Sequence, residues 1–209
     1  MNAIVLFGDV VRSRVDAPAA TAWLRTLRAD LTDAYPESDR LAPFEFTQGD
    51  ELQGLLSSTA DPTRAILRAA LHPDRLPMRW VIVRGEVDSG TGPATQRSGT
   101  AFIAARERLV TAVAHRERIT AVRGIGWIDD LLDGTAPLLG ELLDDLTARQ
   151  REIGWLMLVE GCRRSEVAER LGVSRATISV AADRAHLGEL GELARVVRTL
   201  IQHDTVADA

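Results

Sequence analysis

The chain has 209 residues, 45% of them hydrophobic, enough for one large domain or two small ones with an ordinary core. Its net charge of −5 excludes a protein that coats nucleic acid through bulk positive charge. A single cysteine, Cys162, excludes an intramolecular disulfide framework and fits a reducing cytoplasm, and no leader or bilayer-length apolar run is present, so no membrane partner is expected.

Residues 3–7 are apolar at every position, the pattern of a central strand covered on both faces, and they run into Gly8 and Asp9. A helix is predicted over residues 19–35, with Trp23, Leu24, Leu27 and Leu31 on one face and Pro36 as its stop. Phe44 and Phe46 then alternate with Glu45 and Thr47, and residues 52–56 read as a partner strand. The segment between them, Gln48-Gly49-Asp50-Glu51, is a hairpin turn. Asp61-Pro62 opens a helix that ends near His72-Pro73. A long strand over 78–87, a loop over 89–93, a helix over 99–115 and a short strand over 119–122 complete the first unit. This order implies an α/β (α+β) mixed sheet with helices packed on it, ending near residue 125.

Residues 126–145 are apolar but studded with acids, and read as an acidic helical linker with a solvated face. Thr147-Ala148-Arg149-Gln150 is a capping box that opens a helix ending near Gly161. A short helix over 165–171 breaks at Gly172-Val173, Ser174 caps a third helix, and a last one spans 189–203. Residues 146–209 therefore form an all-α unit. Within it Val167, Ala168, Val173 and Ile178 fall where two crossed helices touch, and Gly172 falls where the turn between them requires a positive φ. Ser174, Arg175, Thr177 and Ser179 line the outer part of the second helix, as base-reading residues do. Arg149, Arg163 and Arg164 are the matching phosphate contacts. Residues 149–184 hold seven arginines and five acids, so the arm is only weakly basic; a three-helix packing module without DNA is the alternative.

The hairpin raises Asp50 and Glu51 together, and Asp9 joins them if the first strand pairs beside it. Two like charges ~4 Å apart repel by about 4 kcal/mol at an effective dielectric near 20. Such a cluster needs a metal ion, an arginine (Arg12, Arg14 or Arg84) or protonation. Hard oxygen donors suit Mg²⁺ or Mn²⁺. The turn after Asp9, with Val10, Arg12, Ser13 and Arg14, and Gly49 in the hairpin, would receive nucleotide phosphates. The histidines and Cys162 share no metal-ligand spacing.

Residues 146–152 and 166–174 resemble sigma region-four and LuxR-like response-regulator helix-turn-helix domains over about sixty residues. Three further pieces, residues 8–14, 48–56 and 99–106, resemble the SatD family, with Thr100 in place of that family's proline. The same pieces are more distantly similar to GGDEF diguanylate cyclases and class III nucleotide cyclases. That resemblance implies a ferredoxin-like, nucleotide-cyclase-like fold. It also implies divalent-cation ligands at Asp9, Asp50 and Glu51, and places Arg106 at the phosphate-binding arginine of the class III enzymes, although Phe102 stands where they carry asparagine. The expected function is a cytoplasmic, homodimeric DNA-binding transcriptional regulator. Its first unit senses a nucleoside triphosphate or other nucleotide, a divalent metal, or both, and its second binds double-stranded DNA. The alternative is a nucleotidyl cyclase or small-nucleotide synthase that uses Mg²⁺ or Mn²⁺; a third reading is an interaction module with a vestigial site.

Overall fold

The computed structural model describes residues 1–46 and 50–204. Five strands form one sheet: β1 (Asn2–Val10), β2 (Arg40–Phe46), β3 (Glu51–Ser57), β4 (Met78–Glu86) and β5 (Ile119–Val122), in the spatial order β2-β3-β1-β4-β5. Neighbours are antiparallel except β4 and β5, which run parallel. The first four strands have the ferredoxin-like arrangement, and β5 is added after a crossover helix. The uniformly apolar β1 is central and buried on both faces, as its sequence pattern implies.

Side chains alternate across the sheet. Ile4 and Leu6 face α1 (Ala17–Ala34) and α2 (Thr63–Leu71), where Trp23, Leu24, Leu27, Leu31, Ile66 and Ala69 are buried. Ala3, Val5 and Phe7 face α3 (Thr100–His115), which buries Ala101, Phe102, Ala105 and Leu109. On the α1–α2 face, Gly54 stands opposite Leu6 for want of room: a Cβ there would lie 2.3 Å from the Phe44 ring. The helix predicted from Asp61-Pro62 starts one residue later, at Thr63, whose N–H and hydroxyl both donate to Asp61 Oδ1 at 3.0 and 2.7 Å.

Gly126–Asp144 is a single helix, α4, and Ile128, Leu132, Ala136, Leu139 and Leu143 form a buried stripe along it. These residues recur every three to four positions, so the acids between them fall on the outer face. The stripe is part of one core that continues from the sheet through α4 into the C-terminal helices. Those helices are α5 (Ala148–Gly154), a π-helical turn (Trp155–Val159), α6 (Arg164–Arg170), α7 (Arg175–Arg184) and α8 (Leu187–Gln202). Helix α8 lies on α4 through Leu190, Ala194, Val197 and Ile201. Its C-terminal end is fixed to the sheet: buried Arg84 on β4 donates to Ile201 O at 3.1 Å and His203 O at 3.3 Å, and Arg123 Nε donates to His203 O at 3.0 Å.

Candidate functional site

The acidic cluster is assembled by strand register. Asp9 on β1 stands opposite Glu51 on β3 and opposite Arg79 on β4, so the three side chains form one row on the α3 face. Asp50, the residue before β3, adds a third carboxylate close enough for its charge to act on Asp9. The structure thus brings Asp9, Asp50 and Glu51 together through the hairpin and the central strand.

Each carboxylate has a donor. Arg79 Nη1 donates to Asp9 Oδ2 at 3.0 Å, while its Nε donates to Glu117 O at 3.0 Å. Arg106 reaches down from α3, donates from Nη1 to Glu51 Oε2 at 2.7 Å and lies 5.0 Å from the Phe7 ring centroid. Gln53 Nε2 donates to Glu51 Oε1 at 2.5 Å, and the buried Ser13 hydroxyl donates to Asp50 Oδ2. The cluster therefore holds three carboxylates and two guanidiniums. Burial, and then the Asp50 charge, push the Asp9 carboxyl up from 3.8 to about 6, against the opposing pull of Arg79. Arginine pairing is thus one of the three ways of tolerating such a cluster that the structure contains, and burial moves Asp9 towards a second, protonation.

Arg79 and Gln53 are the residues missed by sequence reasoning. The signal for Arg79 is a charge in register with Val81 and Val83, at a position that faces the core. Arg84, considered as a partner for the cluster, lies at the far end of β4 and on the other face, and clamps α8 instead. Arg12 and Arg14 are exposed in the turn after β1 and pair with no carboxylate among the described residues; Arg12 has a positive φ of 59°. The Val10 amide is not placed to receive a phosphate. Strand β1 continues through it, and Val10 N donates to Asp50 O at 3.0 Å, as Val11 N does to Pro77 O at 2.8 Å. Gly49 lies outside the described residues.

Among the described residues, no three His, Cys, Asp or Glu side chains are grouped as a ready metal cage. The donor set does fit a cation that brings its own ligands. Asp9 uses one oxygen on Arg79, its other oxygen has no hydrogen bond among the described residues, and Mg²⁺ is commonly held by one or two carboxylates with water and phosphate. Beside the cluster lies a groove of about 760 Å³ between the sheet and the start of α3, lined by Phe7, Gln53, Thr100, Phe102 and Arg106 among others. Gly99, with φ 129°, lets the chain turn into α3 against β4: a Cβ there would lie 2.7 Å from Val87 Cα.

The second candidate surface is on α6 and α7. Val167, Ala168, Ile178 and Ala182 are buried between the helices, and Gly172 has φ 63° at the turn. Ser174 caps α7 by accepting from Thr177 N at 3.0 Å. Ser174, Arg175 and Thr177 are exposed and Ser179 is half-buried on the same helix. Arg149 pairs with Glu152 at 2.6 Å and Arg164 with Asp183 at 2.7 Å, whereas exposed Arg163 has no carboxylate partner among the described residues. The helix that opens at the Thr147 capping box leaves α geometry at Trp155, which the sequence pattern does not announce.

No family model matches the chain, and no curated protein matches it. A crystal structure of a regulator of polyketide synthase expression from Bifidobacterium adolescentis aligns over 96% of this chain and 86% of that one, at 12% identity and a TM-score of 0.26. A likeness that weak bears on neither fold nor function. Among the described residues no helix is long and apolar enough to cross a membrane.

Proposed function

We propose that the protein is a DNA-binding transcriptional regulator that reads double-stranded DNA through α7. The observation that carries this reading is the division of labour along α6 and α7. Their facing residues are wholly apolar, the turn residue is a positive-φ glycine, and the exposed residues that open α7 are Arg175 and Thr177 beside the capping Ser174. A packing module has no need of that outward set; a base-reading helix does. Arg163 is the clearest phosphate contact, with Arg149 and Arg164 contributing once their surface ion pairs open. Selection from a random DNA pool with the full chain, followed by titration of the enriched sequence, tests the assignment. Arg175→Ala is expected to cost ~1–3 kcal/mol and to relax sequence preference, whereas Arg163→Ala should weaken all sequences alike. Unchanged affinity and preference in Arg175→Ala would remove the recognition helix.

A sensory role for the first unit is favoured by one observation. The row sets three carboxylates against two guanidiniums, and Asp9 is raised first by burial and then by the Asp50 charge even with Arg79 in contact. A divalent cation that arrives with nucleotide phosphates would relieve that excess, while Arg106 and the groove beside it take the anionic and planar parts. The resemblance of these segments to the SatD family and to cyclase catalytic folds agrees with this. Binding of a triphosphate with Mn²⁺ should raise the melting temperature by linkage. If no nucleoside triphosphate with Mn²⁺ shifts it, the row is a structural ion-pair network only.

A further inference from the structure

A second cavity lies away from the acidic row, where the end of α2 meets the C-terminal helices. It measures about 590 Å³ and is lined by His72, Arg149, Trp155, Leu156, Arg170 and Leu171, with Glu152 at the rim. That is the volume range of small-molecule sites, which favour junctions between structural units. Its back wall is the π-helical turn. In an α-helix, residues 155–159 would divide between core and solvent; here the wider turn leaves all five half-buried.

Trp155 is fixed by three partners before any ligand arrives. Its Nε1 donates to Glu160 Oε1 at 2.8 Å. The Arg68 guanidinium lies 5.2 Å from its ring centroid, and His72 meets the ring edge-on at 5.6 Å and 86°. His72 is itself packed against buried Trp23 at 5.0 Å. The slot is thus a rigid aromatic and aliphatic surface. At its rim stand two guanidiniums and one carboxylate. Arg149 holds Glu152, and Arg170 holds Glu160 from outside the lining. Each guanidinium has five N–H donors, and one carboxylate partner occupies at most two of them. Both arginines are about half exposed and keep donors for a second acceptor.

We infer that this slot binds a planar aromatic carboxylate, with its ring against Trp155 and Leu156 and its anionic group on Arg149 and Arg170. This goes beyond the DNA and nucleotide readings and requires neither. Where the DNA reading also holds, the ligand's charge would sit on Arg149, a phosphate-contacting residue, and would oppose DNA binding.

The test is calorimetric titration of the full chain, without DNA or nucleotide, using 1-naphthoate as the probe and 1-naphthalenemethanol as its neutral counterpart. The expected result is saturable one-to-one binding of naphthoate, about tenfold tighter than the alcohol. Leu156→Asp should lower affinity at least about tenfold, by placing a carboxylate in the slot. The paired exposed changes Arg149→Gln and Arg170→Gln should abolish the preference for the anion over the alcohol. They carry the test if Leu156→Asp melts too low to titrate. Non-saturating naphthoate heats, equal affinity for the two probes, or wild-type binding by Leu156→Asp would each overturn the assignment. Because no DNA is present, a failure here leaves α7 as the reading helix untouched, and a failure of DNA selection leaves the slot untouched.

Discussion

Asp9 holds its proton to about pH 6 because it is largely buried and because Asp50 and Glu51 share its surroundings. The unfolded chain releases the same proton near 3.8. Between these values the native protein binds more protons than the unfolded one, so this residue makes stability fall as pH rises through that window. The full shift corresponds to about 3 kcal/mol. Asp9→Asn removes the titration. In urea unfolding followed from pH 4 to 7, the variant should gain about 2 kcal/mol of this relative to wild type, whatever their difference at pH 4, since part of the window lies below pH 4 and Asp9 is not fully buried. Parallel pH dependences in the two proteins would show that Asp9 titrates as an ordinary carboxylate. The cluster was legible because a glycine-acid turn and a strand ending in Asp9 can meet in only a few ways. Arg79 was not legible, because its place in the row depends on β4 lying beside β1 in one register, and a slip of one residue would turn it to the other face.

At the scale of elements, the α6-turn-α7 unit depends on Gly172. A Cβ at that position would touch nothing within 4 Å, so the only obstacle to a side chain is the backbone conformation. Gly172→Ala should therefore cost about 1–2 kcal/mol without disturbing the helix packing, read as a lower urea midpoint with unchanged slope. A loss much larger than that, or a changed slope, would mean that the turn itself rearranges. This unit was readable from sequence because its signals are local: a cap, a positive-φ glycine and apolar contacts within a few residues. The burial of helix α4, expected as a linker helix with a solvated face, was less legible for the opposite reason. Its acids are conspicuous along the chain, but what buries it is the regular return of Ile128, Leu132, Ala136, Leu139 and Leu143 against β5 and α8, partners that lie elsewhere in the sequence. The π-helical turn leaves no periodic trace, since Trp155–Val159 is apolar at every position.

In the whole molecule, the sheet and the C-terminal helices share one apolar core, with α4 as the layer between them. The region around the α2 end joins them at one side, and the Arg84 and Arg123 contacts with the end of α8 join them at another. Gln202 Nε2 adds donations to Thr59 O and Ala60 O at 2.7 and 2.9 Å. Helix α8 therefore bridges α7 and the end of the sheet opposite the acidic row.

Arg84 also donates to Asn2 Oδ1 at 2.9 Å and pairs with Asp204, while the Met1 amine donates to Val87 O at 2.8 Å. The first strand and the stretch after the last helix thus share one anchorage.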